Sequence, residues 1–133
     1  MKLKISLLLA AFILAVSVSQ GQDMKGGDKY VFVISKINYL KAIEDAVSTS
    51  DPSLNISEVR VILCGESVKA FEEKNPLIEK TLHHEKIKLY ACGLSLEQMK
   101  VNPRILTAGV GSVRNGLLEA MILEKKGYKK MDL

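Results

Sequence analysis

The stretch Val59–Gly65 reads VRVILCG, a continuous apolar and β-branched run that ends in a cysteine and a glycine. The stretch Ile87–Gly93, IKLYACG, repeats this pattern about 28 residues later. An earlier run, Lys29–Ile34, has the same β-branched and aromatic character without the terminal cysteine. Runs of this kind are typical of strands that are buried on both faces, as in a parallel sheet. We therefore predict three successive buried strands.

Helical patterns fill the intervals between these runs. Apolar residues recur at helical spacing after the first run, which predicts a helix over about residues 37–48. A second helical stretch follows the second run and is interrupted near Pro76, because proline cannot continue a helix. A short third helix is predicted to open at Ser95, with Gln98 three residues later in the form of a capping box. This alternation predicts βαβ units, and hence a parallel sheet covered by helices on both faces.

The C-terminal part continues the alternation with weaker signals. Ile105–Ala108 is predicted to be a fourth strand, although its pattern is less pronounced than the first three. The last helix is predicted over about residues 112–126, and Gly127 is a good stop signal. The apolar residues expected on one face of that helix are Val113, Leu117, Ala120 and Met121.

The N-terminus has the order of parts of a secretory signal peptide. Two lysines in the first four residues precede an uncharged apolar stretch, Ile5–Val18, and then a small, polar segment. The apolar core is shorter than the roughly 20 residues that a spanning helix requires. We expect residues 1–21 to be a signal peptide, 22–28 a linker and 29–133 one α/β domain, with the mature protein periplasmic or secreted and not in the membrane. An uncleaved N-terminal anchor is the alternative.

Length and charge limit the classes of function. Removal of the leader leaves 112 residues, enough for one hydrophobic core and too few for two. Of the 19 basic residues, Lys2 and Lys4 lie in the leader, so the remaining chain carries 17 basic against 15 acidic residues. These charges are interspersed along the chain, as on solvated helix faces. The sequence therefore gives no support for nucleic-acid binding.

Two cysteines are the leading candidates for chemistry. Cys64 and Cys92 each end an apolar run and precede a glycine and a predicted helix. Reactive groups of parallel sheets gather at the carboxyl ends of the strands, and a helix N-terminus favours a thiolate. We expect the two residues on neighbouring strands at the same sheet edge, with Cys92 the better candidate because Ser95 defines its helix more clearly. The alternative is that both are buried small hydrophobes, and whether they form a disulfide is left open.

Other polar residues are weaker candidates. His83 and His84 precede the third strand and therefore belong to the opposite edge, which disfavours a Cys-His dyad. Two cysteines without a third ligand make a poor zinc site, so neither a metal nor a cofactor is predicted. Gly109–Arg114 resembles a fragment of a phosphate loop but lacks its third glycine. Ser112 and Arg114 in that segment are expected on the same sheet edge as Cys92, where they could stabilise an anion or a thiolate. The alternative for Arg114 is an exposed helix residue without such a role.

The layout as a whole resembles the DsrE/DsrF-like family. The resemblance rests on Tyr90–Gly93 after a strand, followed by a short helix, and on Gly111 opening a last helix that ends in Lys126–Tyr128. It also rests on Val61–Gly65 followed by Val68-Lys69 and Pro76-Leu77. It covers about residues 29–130 and implies a three-layer α/β/α fold with a mainly parallel sheet of about five strands, frequently in homo-oligomers. In the sulfur-relay members of the family a cysteine carries sulfur as a persulfide, and the matching position here is Cys92. Two features depart from the family: Cys64, and a leader that directs the chain out of the cytoplasm.

Two hypotheses of function follow from these observations. In the first, the protein is a sulfur carrier or thiol-based sulfurtransferase whose Cys92 thiolate takes sulfur from a donor and passes it to an acceptor, either of which could be a protein. In the second, it is a non-catalytic module that binds a small ligand or assembles into oligomers, and it needs no reactive thiol. The reactivity of Cys92 separates the two.

Overall fold

The computed structural model describes residues 26–133, so the predicted leader and residues 22–25 of the predicted linker lie outside the described part. In residues 26–133, five strands form one sheet in the order β4-β3-β2-β1-β5, and every neighbouring pair is parallel. The prediction of a parallel, helix-covered α/β sheet is therefore confirmed. The strands are β1 Asp28–Ile34, β2 Ile56–Leu63, β3 Ile87–Cys92, β4 Gly111–Val113 and β5 Lys129–Asp132.

Within the described part of the chain, four α-helices connect the strands: α1 Asn38–Ser48, α2 Pro76–Leu82, α3 Gly93–Gln98 and α4 Gly116–Lys125. Two 3₁₀ segments, Gly65–Phe71 and Pro103–Ile105, complete the connections. The interruption predicted near Pro76 is the start of α2, where the Asn75 side chain accepts hydrogen bonds from two backbone amides. Pro76 suits this first helical position because its missing N–H would have no partner within the helix.

The sheet separates two unequal cores. Alternation along β2 directs Val59, Val61 and Leu63 into the larger core, which packs beneath α1 and α2. The opposite face carries a smaller core that is covered by α4. Its buried members are Val31, Val33, Ile62, Cys92, Ala120, Leu123 and Tyr128. The helices thus form outer layers on both faces of the sheet, and one cysteine belongs to the smaller core.

Two predictions in the C-terminal part are wrong. Ile105–Ala108 is not a strand: Asn102 and Pro103 start a 3₁₀ turn, in which the Asn102 side chain accepts from the Arg104 amide. The fourth strand is instead Gly111–Val113, so the last helix begins at Gly116 and not at Ser112.

Ser95 is not the cap of α3, since that helix begins two residues earlier, at Gly93. The Ser95 hydroxyl instead accepts a hydrogen bond of 2.8 Å from the Gly65 amide. That contact lies between the ends of β2 and β3, so a residue expected to define a helix end instead joins two strand ends.

The helix α4 differs from the predicted amphipathic helix. Ala120 is fully buried, but Leu117 and Met121, expected on the same face, are 56% and 59% exposed. Leu118 and Ile122 are also exposed, so a row of large apolar side chains lies on the outer surface of this helix. Within residues 26–133, no helix combines the length and apolar character required to span a membrane.

Candidate functional site

Both cysteines lie at the carboxyl edge of the sheet, as predicted. Cys92 is the last residue of β3, and Cys64 follows the last residue of β2. The register aligns Leu63 with Ala91, so the two cysteines occupy the next pair of adjacent positions. Both are free thiols on the face covered by α4, and both line one cleft of about 440 Å³. The prediction that they are neighbours on one edge is confirmed.

The N-terminus of α4 points at Cys92. The Gly116 amide donates a hydrogen bond to the Cys92 Sγ at 3.3 Å. The side chain of the preceding residue, Asn115, caps the helix by accepting from the amides of Leu117 and Leu118. Because the exposed amides at a helix N-terminus carry partial positive charge, this arrangement favours a thiolate over a thiol at Cys92.

Gly116 permits this close approach because it has no side chain. A Cβ at this position would lie 2.5 Å from the Cys64 Sγ, 2.8 Å from the Ile62 Cγ2 and 3.3 Å from the Cys92 Cβ. The first two separations are well inside van der Waals contact. The N-terminus of α4 therefore packs directly against both cysteines. A larger residue at position 116 would displace the start of this helix.

Ser95 completes the surroundings of the thiols. It is buried, with 5% of its surface exposed, and its hydroxyl oxygen is occupied by the Gly65 amide. Hydrogen bonds from Ser95 lower the pKa of Cys92, and at Cys64 they offset a small part of the increase that burial causes. Gly65 itself adopts φ +53°, a left-handed conformation that side chains disfavour, so the turn after Cys64 also depends on glycine.

The two thiols differ in acidity. Burial raises the pKa of Cys92, but hydrogen bonds from Ser95, Gly116 and the Cys64 thiol outweigh it and hold that pKa below its ordinary value. Burial, the negative charge of Cys92 and, to a smaller extent, that of Asp132 together raise the pKa of Cys64 to about 12. Cys92 therefore ionises first, and Cys64 remains a protonated donor beside it.

The other predicted residues lie away from this cleft. Ser112 is exposed in the middle of β4 and pairs with Ala91, whose side chain belongs to the larger core on the opposite face. Arg114 is exposed, and its backbone carbonyl accepts from the Leu94 amide at 3.1 Å. Within residues 26–133, neither residue is among those that line the cleft. A stabilising role for either at the thiolate remains a prediction.

His83 and His84 lie at the amino end of β3, which confirms that they occupy the opposite edge from the thiols. They line a larger cleft of about 810 Å³ together with Glu79, Lys88 and Tyr90. Neither cysteine is among the described residues that line it. The smaller cleft is the better candidate because it combines two thiols, a buried hydroxyl and a helix N-terminus.

Sequence reasoning did not identify Asn115 and Gly116 as parts of the site. An Asn-Gly pair ahead of the apolar run from Leu117 is a recognisable helix start, and it could have placed the helix N-terminus correctly. The contact of Gly116 with two cysteines, 24 and 52 positions earlier in the chain, has no comparable local signal.

Comparison with known proteins shows the fold and nothing finer. No protein-family model and no curated protein matches the chain. Among solved structures, the protein of unknown function MTH1491 from Methanobacterium thermoautotrophicum is similar, with a TM-score of 0.68 and 14% sequence identity. The match covers 80% of this chain and 99% of that protein. At this identity the likeness supports the α/β architecture alone.

Proposed function

We propose that this protein is an exported, thiol-based sulfur carrier or sulfurtransferase in which Cys92 holds the transferred sulfur as a persulfide. The observation that carries the proposal is the hydrogen bond from the Gly116 amide, at the N-terminus of α4, to the Cys92 Sγ. A thiolate is the form of cysteine that attacks sulfur, and this contact stabilises it. Export is proposed from the order of residues 1–21.

The reaction requires no group beyond the protein and a sulfane donor. The Cys92 thiolate attacks the terminal sulfur of a polysulfide or persulfide, and a new S–S bond forms as the bond in the donor breaks. The electron pair of the broken bond stays on the rest of the donor, which leaves as a thiolate or as a shortened polysulfide or sulfide. An acceptor thiolate, on a protein or a small molecule, then takes the terminal sulfur from Cys92 in the same way. The cleft of about 440 Å³ gives a small donor access to a residue that is only 4% exposed.

The test is polysulfide treatment of the purified mature protein, followed by removal of the excess and intact mass measurement. We expect the Cys64→Ser variant to gain the mass of one sulfur atom and the Cys92→Ser variant to gain none. The two substitutions are matched, because each replaces a thiol by a hydroxyl in the same cleft. Equal sulfur loading of both variants, or loading of neither, would contradict the proposal.

A non-catalytic assembly module is the second candidate, and the outer face of α4 favours it. Leu117, Leu118, Met121 and Ile122 are between 41% and 59% exposed and follow one another at helical spacing. Large exposed apolar patches mark interaction surfaces. A second copy of this chain is the proposed occupant, since a surface of four uncharged side chains meets its own copy without like-charge repulsion.

The mass of the native protein in solution tests this second candidate. We expect an oligomer that Leu118→Glu dissociates and that Leu54→Glu, a change at a leucine of similar exposure elsewhere, leaves intact. A monomeric wild-type protein, or an oligomer unaffected by Leu118→Glu, would refute it. An oligomer without sulfur loading at Cys92 would favour assembly over sulfur transfer as the function.

A further inference from the structure

Cys64 is an ionisable neighbour of Cys92 that the proposed transfer does not use. The two residues follow the paired positions Leu63 and Ala91 on adjacent parallel strands. Adjacent strands lie about 4.8 Å apart, which is within the Cα separation that a disulfide spans. Both side chains project to the same face and line the same cleft.

The local packing brings the two sulfur atoms towards one point. The Cβ position above Gly116 is 2.5 Å from the Cys64 Sγ and 3.3 Å from the Cys92 Cβ, so both side chains lie beneath this single glycine. The proximity of the Cys64 thiol also favours the ionised form of Cys92 and lowers its pKa. Two thiols that lie beneath one glycine at adjacent strand ends need little movement to form a disulfide.

We propose that Cys64 is the resolving thiol of Cys92, attacking the Sγ of a Cys92 persulfide to form a Cys64–Cys92 disulfide and release hydrosulfide. This inference rests on the proposed function, because it requires the persulfide. The bond between the two persulfide sulfurs breaks, and the bond between the two Sγ atoms forms. The outer persulfide sulfur first takes the proton of the Cys64 thiol, and the Cys64 thiolate so formed attacks the Cys92 Sγ. The outer sulfur then leaves as hydrosulfide with the bonding electron pair. Atoms and charge balance without an external oxidant, because the persulfide sulfur is itself reduced to sulfide.

The acidities of the two residues fix the order of these steps. While Cys92 is a thiolate, burial and its negative charge keep the pKa of Cys64 at about 12, so Cys64 does not compete for the sulfur donor. After sulfur transfer the negative charge moves to the outer persulfide sulfur, one bond further from Cys64. Cys92 therefore reacts first, and Cys64 acts once the persulfide has formed.

This reaction gives a loaded carrier two fates. An acceptor thiol that enters the cleft takes the outer sulfur and regenerates the Cys92 thiolate. Without an acceptor, Cys64 discharges the sulfur as sulfide and leaves the protein as a disulfide. A dithiol reductant, such as a thiol–disulfide oxidoreductase of the same compartment, is the class of partner that must then restore the two thiols.

The test follows the loaded protein over time after the polysulfide has been removed. In wild-type protein we expect the mass gain of one sulfur to decay to a species two hydrogen atoms lighter than the reduced chain, with one sulfide released per chain. A dithiol should return that species to the reduced mass. Cys64→Ser and Cys64→Ala should retain the added sulfur and release no sulfide over the same period.

The outcomes separate this inference from the function on which it rests. If the Cys64 variants never gain sulfur, the proposed function fails and the resolving role fails with it. If wild type and the Cys64 variants retain the added sulfur equally, and wild type forms no disulfide, Cys92 remains a carrier but Cys64 is not its resolving thiol. Because two different substitutions replace Cys64, a folding defect in one of them still leaves a decisive comparison.

Discussion

Replacement of Gly116 by alanine tests whether the N-terminus of α4 activates Cys92. The added methyl group would lie 2.5 Å from the Cys64 Sγ and 2.8 Å from the Ile62 Cγ2. Normal contacts of such atoms are about 3.5–4.0 Å, so the start of the helix must retreat by on the order of 1 Å. The hydrogen bond of 3.3 Å from the Gly116 amide to Cys92 is then lost.

The expected size of the effect follows from the strength of that contact. A hydrogen bond to a charged group contributes about 1.5–3 kcal/mol, so the thiolate fraction at neutral pH should fall by roughly tenfold to a hundredfold. A more basic thiolate is also a better nucleophile, with a Brønsted coefficient of about 0.4–0.5. The net rate of alkylation should therefore fall by about threefold to tenfold. Overpacking should also lower the free energy of unfolding by about 1–3 kcal/mol.

The assay is the alkylation rate of Cys92 as a function of pH. It is measured in a Cys64→Ser background, so that Cys92 is the single thiol available for alkylation. Gly26→Ala is the matched control, because a Cβ there meets no atom within 4 Å. We expect the control to behave as the parent protein. If Gly116→Ala is less stable but its Cys92 reacts at the parental rate at neutral pH, the helix N-terminus does not activate the thiol.

Three further substitutions test other parts of the account. Ser95→Ala removes the acceptor of the Gly65 amide and should cost about 1–3 kcal/mol in denaturant unfolding, while slowing Cys92 alkylation at neutral pH; an unchanged rate would exclude Ser95 from activation. Asn115→Ala should lower the melting temperature by a few degrees through loss of about 1 kcal/mol of capping, and an unchanged melting temperature would contradict this. Burial raises the pKa of Glu58, but Tyr128, Lys88 and Arg60 outweigh it, so the folded pKa is below the ordinary 4.5. The ionised Glu58 therefore adds to the free energy of unfolding above its unfolded pKa, and this contribution is lost as the pH falls through its folded pKa. In Glu58→Gln the free energy of unfolding should depend less on pH between these two values, and an unchanged pH dependence would refute this.

The central strands could be predicted from sequence because burial on both faces imposes a continuous apolar run. β2 and β3 have such runs, and both are central in the sheet. The edge strands β4 and β5 each pair with one neighbour, so their residues need not be continuously apolar. β4 has three residues, and β5 reads KKMD, whose lysines are typical of an exposed edge. Edge strands were therefore misplaced or not predicted.

The site was predicted in part for the same reason. The position of a residue at the end of a buried run is a local property, so Cys64 and Cys92 could be placed on one edge. The approach of α4 to these residues is a tertiary property, decided by the absence of a side chain at Gly116 and by the start of the helix after Asn115. Ser95 was recognised as polar and close to a helix start, but its acceptor role towards Gly65 depends on packing between two strand ends.

The location of the transferred sulfur tests the central claim most directly. Wild-type protein is treated briefly with polysulfide at neutral pH, alkylated at once and digested, and the peptides that contain Cys64 and Cys92 are compared by mass spectrometry. We predict that the earliest detectable persulfide is on the Cys92 peptide, with Cys64 still a thiol. A persulfide that appears first on Cys64, or on neither cysteine, would contradict the account.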